Sequence, residues 1–200
     1  MLVEGRGRLP GQLVVVSGPS GSGKSTVVRR ALDRGLRRKP GTLRLSVSAT
    51  TRSMRPGETE GIDYYFLEHS AFEAAIGRNE FLEYATYNDH LYGTPARPVI
   101  ESLASGETIL LEIDVQGAIQ VRRHTPGALF VFIRTPTFRV LEDRLSGRGT
   151  ETELSLFRRL RRAREELAEA HWYDVQLTND DLNRCVDEFL AVLESHDCGG

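Results

Sequence analysis

The sequence predicts an α/β fold in which a parallel sheet is covered by helices on both faces. Apolar, β-branched runs that suit buried strands alternate along the chain with segments of helical periodicity. The first of these runs leads through a glycine-rich loop directly into a helical segment. No internal repeat or low-complexity linker divides the 200 residues. We therefore expect a single domain over residues 1–200.

The N-terminal quarter predicts a strand, a loop, a helix and a second strand. Residues 12–17 form the first apolar run, and the helical pattern after the loop at 18–25 ends near Gly35. Alternating apolar side chains predict a half-buried strand over residues 43–49. Proline and glycine then indicate an exposed loop over residues 52–61.

The next segment predicts a small inserted α+β unit. Ser70 and Glu73 have the spacing of a capping box, which starts a short helix that Gly77 ends. Aromatic and β-branched residues over 81–92 flank an Asn88-Asp89 turn signal and predict a small antiparallel sheet.

The remaining chain returns to alternating helices and strands. Thr94 and Pro95 signal the start of a helix that Gly106 ends. Apolar runs predict three more strands, and helical periodicity predicts two helices after the second of these strands and one after the third. The strands are expected over 108–114, 128–134 and 172–178, and the helices over 137–145, around 156–167 and over 181–195.

Residues 18–25 match the phosphate-binding pattern G-x-x-x-x-G-K-[ST] between a predicted strand and a predicted helix. Glycines let successive backbone N–H groups face a phosphate at the positive end of the helix. We expect Lys24 to reach the terminal phosphates and the Ser25 hydroxyl to face Mg²⁺. Asp114, at the end of the apolar run from Ile109, is a second candidate on the magnesium side, although many strands end in an aspartate.

Arginines gather in two further places. Arg52 and Arg55 lie in the exposed loop. Two roles are open for them: their guanidinium groups bind a phosphate, or they are solvated surface charges without a partner. Residues 139–164 carry eight arginines and four acidic residues, and Gly147 and Gly149 interrupt the helical pattern there. This combination predicts a mobile lid that brings positive charge to a transferring phosphoryl group.

Two pairs within that segment, Arg161 with Glu165 and Arg162 with Glu166, have i,i+4 spacing. Such pairs are typical of a solvated helix face. We therefore interpret both pairs as surface ion pairs and leave them out of the site.

The composition excludes several classes of protein. A formal net charge of -2 and a pI near 6.2 offer nucleic acid or an anionic membrane no general attraction. The two cysteines, Cys185 and Cys198, exclude a disulfide framework. The first apolar run is too short for a signal peptide or a membrane span, so we expect a cytoplasmic protein.

Several longer segments resemble guanylate kinases in order and spacing: SGPSGSGKST, SVSATTRSMRPGETEGIDYYF, EFLEYA, YGT, LLEIDVQG, RLSGRGTE and TND. The resemblance runs from Leu13 to about Leu193. It implies transfer of the γ-phosphoryl group of ATP to GMP, and to dGMP, with Mg²⁺. It also implies three parts: a core over 12–47, 95–136 and 172–196, a GMP-binding subdomain over 48–94 and a lid over 137–171.

The resemblance assigns roles residue by residue. For ATP binding it implies Gly18, Pro19, Ser20, Gly21, Ser22, Gly23, Lys24, Ser25, Thr26, Arg144, Arg148 and Asn179. For GMP binding it implies Ser48, Arg52, Arg55, Tyr64, Glu83, Tyr92, Gly93, Thr94 and Glu112. The catalytic residues implied are Lys24, Arg52, Arg144, Arg148 and Arg159, with Ser25 and Asp114 near Mg²⁺, directly or through water. A carboxylate such as Glu83 accepts from the adjacent N1–H and NH₂ donors of guanine, which adenine lacks.

Two other interpretations stay open on the sequence alone. One is a catalytically inactive guanylate kinase-like scaffold that binds peptides, although such domains typically lack an intact P-loop and this chain has one. The other is a P-loop enzyme with a different acceptor, against which Glu83 and Thr94 argue. The sequence leaves open whether the chain is a monomer or a homodimer.

Overall fold

The computed structural model describes residues 9–38, 42–87, 89–146 and 153–197. Its strands, in chain order, are β1 (Gln12–Ser17), β2 (Leu43–Leu45), β3 (Ala49–Thr50), β4 (Tyr65–Phe66), β5 (Phe81–Tyr87), β6 (His90–Pro95), β7 (Thr108–Glu112), β8 (Leu129–Arg134) and β9 (Val175–Thr178). Its helices are α1 (Lys24–Arg38), α2 (His69–Gly77), α3 (Ala96–Ala104), α4 (Val115–His124), α5 (Phe138–Ser146), α6 (Glu153–Ala168) and α7 (Leu182–Asp197), with a 3₁₀ turn over Glu169–Trp172.

The central sheet is parallel and has the strand order β2-β7-β1-β8-β9. Helical connections join its strands, which confirms the predicted α/β class. Successive residues of β1 enter different cores: Leu13 and Val15 pack with α3 and α4, whereas Val14 and Val16 pack with α1 and α7. The near-continuous apolar runs therefore reflect a sheet that is buried on both faces.

A second, four-stranded sheet with the order β4-β3-β6-β5 forms the inserted unit. β5 and β6 form the predicted antiparallel hairpin. Asp89 in its turn has a φ of 62°, whereas Asn88 lies outside the described residues. Phe72 of α2 stacks on Phe81 with 4.3 Å between ring centroids, which fixes the short helix against the hairpin.

Several predicted boundaries are wrong for identifiable reasons. Helix α1 continues past Gly35 to Arg38. A Cβ at Gly35 would lie 2.8 Å from a methyl carbon of Leu43, so this glycine permits close packing and does not end the helix. Helix α2 starts at His69 with Glu68 as its N-cap, and no side chain caps it, so Ser70 does not start a capping box. Thr94 belongs to β6, and α3 begins after Pro95.

The predicted strand over 43–49 is also divided. β2 pairs with β7 in the central sheet, whereas β3 pairs with β4 and β6 in the inserted sheet. The chain therefore changes sheets between Leu45 and Ala49, and this switch joins the insert to the edge of the core.

Loops that carry candidate site residues follow the carboxyl ends of the central strands. In parallel α/β sheets, ligands bind at this edge. Helices α5 and α6 pack together around a small core of Leu141, Leu145 and Ala163, and α6 extends to the same edge of the sheet. Among the described helices, none is long and apolar enough to cross a membrane.

Candidate active site

The glycine-rich loop between β1 and α1 has the conformation of a phosphate cradle. Gly18 and Gly23 have φ values of 150° and 84°, which L side chains rarely adopt. A Cβ at Gly18 would lie 2.1 Å from the carbonyl oxygen of Ile133. The side-chain amide of Asn179 donates to the carbonyl oxygen of Ser22 over 2.7 Å. The loop is therefore fixed by its neighbours, with the N-terminus of α1 free to face an anion.

Lys24 and Ser25 at the start of α1 meet Glu112 at the end of β7. The Lys24 Nζ atom lies 3.6 Å from Oε1 of Glu112, and the Ser25 hydroxyl donates to the same carboxylate. The resemblance assigns Glu112 to GMP, and the structure places its carboxylate beside Lys24 of the P-loop.

A cavity of about 350 Å³ opens beside this cluster. It is bordered by the P-loop, the inserted sheet, the end of β7 and helix α6. The candidate residues that line it are Gly18, Ser20, Lys24, Ser48, Tyr64, Glu83, Tyr92, Gly93, Glu112, Asp114 and Arg159. The fold thus brings about half of the predicted site residues, Lys24 and Glu83 among them, to one space.

Glu83 is the most deeply buried acidic side chain of this cavity, at 5% exposure. It accepts a 2.7 Å hydrogen bond from the hydroxyl of Thr94. Burial raises the pKa of Glu83 to about 7, and the charge of Asp114 adds to the rise while the Thr94 bond opposes it. Gly117 admits the carboxylate, because a Cβ there would lie 2.5 Å from Oε2 of Glu83. A buried carboxylate with a free lone pair suits a ligand that presents N–H donors.

The arginine loop is organised around Glu58. Both Nη atoms of Arg52 donate to its carboxylate, over 3.0 and 2.7 Å. The backbone N–H of Arg55 donates to it over 2.8 Å, and the Arg55 side chain is exposed. The Arg52 guanidinium also lies 5.5 Å from the ring centroid of Tyr64, which packs edge-on against Tyr92. Burial raises the pKa of Tyr64, so its hydroxyl stays protonated and can donate.

Two of the predicted lid arginines contact the P-loop. Arg144 donates to the carbonyl oxygens of Ser22 and Asn179 over 3.3 and 3.1 Å. Arg159 donates to the hydroxyl of Ser20 over 2.9 Å. Arg148, Gly147 and Gly149 lie outside the described residues.

Sequence reasoning missed Arg162 and Glu166, which line the cavity. Arg162 pairs with Glu166 as its spacing predicts, but it also donates to Asp114 over 2.7 Å. The interpretation of this pair as a solvated face is therefore wrong, whereas Arg161 and Glu165 do form an exposed pair. Identical spacing could not separate the two pairs. Phase could have done so, because Arg162 is three residues after Arg159 and shares its face of the helix.

The oxygen donors near Lys24 fit one side of a Mg²⁺ ion. A hydroxyl from Ser25 and a carboxylate from Glu112 are already in contact, and such hard oxygens are the ligands that Mg²⁺ prefers. Both oxygens of Asp114 are engaged, one by the N–H of Gly117 and one by Arg162, so Asp114 suits contact through water. Within the described part of the chain, no three His, Cys, Asp or Glu side chains cluster as metal ligands.

Known proteins resemble this chain over most of its length. A guanylate kinase from Gloeobacter violaceus is 51% identical over 91% of this chain and 86% of its own. A guanylate kinase from Rubrobacter xylanophilus is 47% identical over 95% of this chain and 97% of its own. The crystal structure of guanylate kinase from Anaplasma phagocytophilum superposes with a TM-score of 0.74 at 28% identity, covering 94% of this chain and 87% of that one. Because the guanylate kinase family model also matches residues 10–196, the chain belongs to the guanylate kinase family.

Proposed function

We propose that this chain transfers the γ-phosphoryl group of ATP to GMP, giving ADP and GDP, within the cavity between the P-loop and Glu83. One observation carries the assignment of the site: Lys24 of the P-loop and the buried carboxylate of Glu83 border the same cavity. A phosphate-binding element and an acceptor for guanine donors therefore face each other across a space that can hold the reacting groups.

On the ATP side, we assign the P-loop from Gly18 to Thr26 to the phosphates. Lys24 supplies a positive charge, and Arg144 and Arg159 approach from α5 and α6. Arg148 completes the set by its place in the motif. Asn179 acts on the nucleotide indirectly, since its amide holds the Ser22 carbonyl.

On the GMP side, we assign the base to Glu83 and Thr94. Ionised Glu83 accepts from N1–H and the exocyclic NH₂. The Thr94 hydroxyl donates to Glu83 and so holds this carboxylate in place. Ser48 and Gly93 border the same space. We assign the phosphate to Arg52, Arg55, Tyr64 and Tyr92, because Tyr64 and Tyr92 line the cavity and Arg52 stacks on Tyr64.

We further propose that ATP enters with Mg²⁺, with Ser25 and Glu112 as the nearest protein oxygens and Asp114 acting through water. The ion would screen the negative charge of the phosphates. The chain's own contribution is to orient both nucleotides and to surround the phosphoryl oxygens with Lys24 and the lid arginines. A strong general base is unnecessary, because the attacking oxygen of GMP is already anionic.

We further propose that three parts of the chain move relative to one another. The core carries the P-loop, residues 48–94 bind GMP and residues 137–171 close as a lid. Closure excludes water and strengthens each charge contact at the phosphoryl group. The use of dGMP, a cytoplasmic location and the choice between monomer and homodimer remain predictions.

The test is ADP release from ATP and Mg²⁺ with each nucleoside monophosphate in turn. We expect turnover with GMP and dGMP, and little with AMP or UMP. The family comparisons lend no support to an inactive scaffold, and GMP binding without ADP release in this assay would revive that interpretation. Equal turnover with all four acceptors would overturn the assignment of Glu83 to guanine.

A further inference from the structure

The guanidinium group of Arg162 contacts its own helix and two other elements at the cavity wall. Nη2 of Arg162 donates to Oδ2 of Asp114 over 2.7 Å, and Nε donates to Oε1 of Glu166 over 3.0 Å. Its central carbon also lies 4.7 Å from the ring centroid of Tyr87. Arg162 and Glu166 belong to α6, Asp114 is the N-cap of α4, and Tyr87 ends strand β5 of the inserted hairpin.

These contacts lead to both nucleotide sites. The other carboxylate oxygen of Asp114 accepts from the N–H of Gly117, the residue packed against Glu83. On the same helix face, Arg159 is one turn before Arg162 and donates to Ser20 of the P-loop. One face of α6 therefore contacts the phosphate cradle through Arg159 and the guanine end through Arg162.

The neighbouring pair Arg161–Glu165 can be compared with Arg162 in its contacts and its exposure. Arg161 pairs only with Glu165 among the contacts described for it, and their side chains are 74% and 62% exposed. An exposed pair of this kind contributes little. Arg162 instead combines two charge-assisted hydrogen bonds with a cation–π contact, and its side chain is 39% exposed. Such bonds are the stronger class and hold a fixed geometry.

We propose that Arg162 is a positioning residue that couples the binding of ATP to the binding of GMP. It acts through its contacts with Asp114 and Tyr87. With the lid helix in place, Arg162 holds the hairpin and the start of α4 where Glu83 is ready for guanine. The occupied guanine site in turn favours the position of α6 that presents Arg159 to the P-loop. Coupling between two sites is reciprocal, so each nucleotide raises the affinity for the other.

This inference rests on the proposed function, and its test compares Arg162→Met with the matched control Arg161→Met. Calorimetry measures the Kd of GMP with and without a non-hydrolysable ATP analogue and Mg²⁺. The ratio of the two Kd values is the coupling factor. We expect the factor to fall at least threefold in Arg162→Met, with a higher KM for GMP, and to be unchanged in Arg161→Met. The coupling factor of Arg162→Lys, which keeps the charge without the planar fork, should lie between those of the two methionine variants.

The possible results distinguish a coupling role from a purely structural one. A wild-type coupling factor of one, an equal fall in both methionine variants, or an unchanged factor in Arg162→Met overturns the coupling role. A lower melting temperature of Arg162→Met with an unchanged factor shows a purely structural residue and overturns it as well. If Arg162→Met does not fold, a coupling factor of Arg162→Lys equal to that of wild type overturns the coupling role. Wild-type protein that binds both nucleotides without releasing ADP overturns the proposed function, whereas active wild type with uncoupled sites overturns only this inference.

Discussion

Arg52 and Glu58 form a two-pronged ion pair in the loop that we assign to the GMP phosphate. The two Nη atoms of Arg52 lie 3.0 and 2.7 Å from the two carboxylate oxygens of Glu58. The same carboxylate accepts the backbone N–H of Arg55 over 2.8 Å. Glu58 therefore fixes both arginines of the loop, one by its side chain and one by its backbone, before any phosphate arrives.

Removal of this carboxylate should loosen the phosphate site. We expect Glu58→Ala to raise the KM for GMP about tenfold, which corresponds to the loss of one charge-assisted contact. The KM for ATP should stay within about twofold, because Glu58 does not border the P-loop. Steady-state kinetics with each substrate varied in turn measures both. A rise in both KM values would indicate that Glu58 supports the fold in general.

The raised pKa of Glu83 predicts pH-dependent binding of GMP. Guanine donors require the ionised carboxylate, and a pKa of about 7 leaves most molecules protonated at pH 6 and most ionised at pH 8. We expect the Kd of GMP to fall about tenfold from pH 6 to pH 8.

The GMP phosphate also titrates near pH 6, so a control is needed. Glu83→Gln retains an oxygen for the Thr94 bond and removes the titration. The slope that remains in this variant belongs to the phosphate. Identical slopes in wild type and Glu83→Gln would rule out Glu83 as the titrating group.

The same shift predicts an effect on stability without ligand. A carboxyl whose folded pKa is raised favours folding while it is protonated. That contribution is complete below pH 4.5 and is lost as pH rises through about 7. We expect Glu83→Gln to be more stable than wild type at pH 8, by up to about 3 kcal/mol, and to approach wild type near pH 4.5. Thermal unfolding at both pH values measures this, and a destabilised Glu83→Gln at pH 8 contradicts it.

Lys24 should matter for turnover more than for folding. Its ammonium lies 3.6 Å from Glu112 in the open phosphate site, so its loss leaves the core untouched. We expect Lys24→Ala to lower kcat at least about a hundredfold, since a charge near the transferring phosphoryl is removed. Its melting temperature should stay close to that of wild type. Near-normal turnover would exclude Lys24 from phosphate binding.

Much of the central sheet and the P-loop could be predicted from the sequence. The apolar runs of β1, β7 and β8 fill both cores, and the glycine pattern has one known structural context. Boundaries were harder where tertiary packing overrides a local signal. Gly35 resembles a helix C-terminus in the sequence, but a glycine is needed there because Leu43 packs closely against it. Residues 43–49 alternate like one strand, although β2 and β3 belong to two different sheets.

The positions of the candidate site residues follow in part from motifs. The placement of Glu83 and Thr94 depends on strand pairing within the β5–β6 hairpin, which the sequence indicates. Spacing carries no information about Arg162 and Asp114, which are 48 residues apart and meet only because α6 returns over the sheet edge. The role of Glu58 was missed for a similar reason, because a carboxylate in a charged loop resembles any solvated acid.

The most direct test of the central claim is the ratio of kcat/KM for GMP to that for AMP, measured in wild type and in Glu83→Gln. The amide of the variant places a donor where guanine also donates, and it accepts the adenine pattern better. We predict a strong wild-type preference for GMP and a ratio at least about a hundredfold lower in Glu83→Gln. A wild-type ratio near one, or an unchanged ratio in the variant, would contradict the assignment of this cavity to guanine.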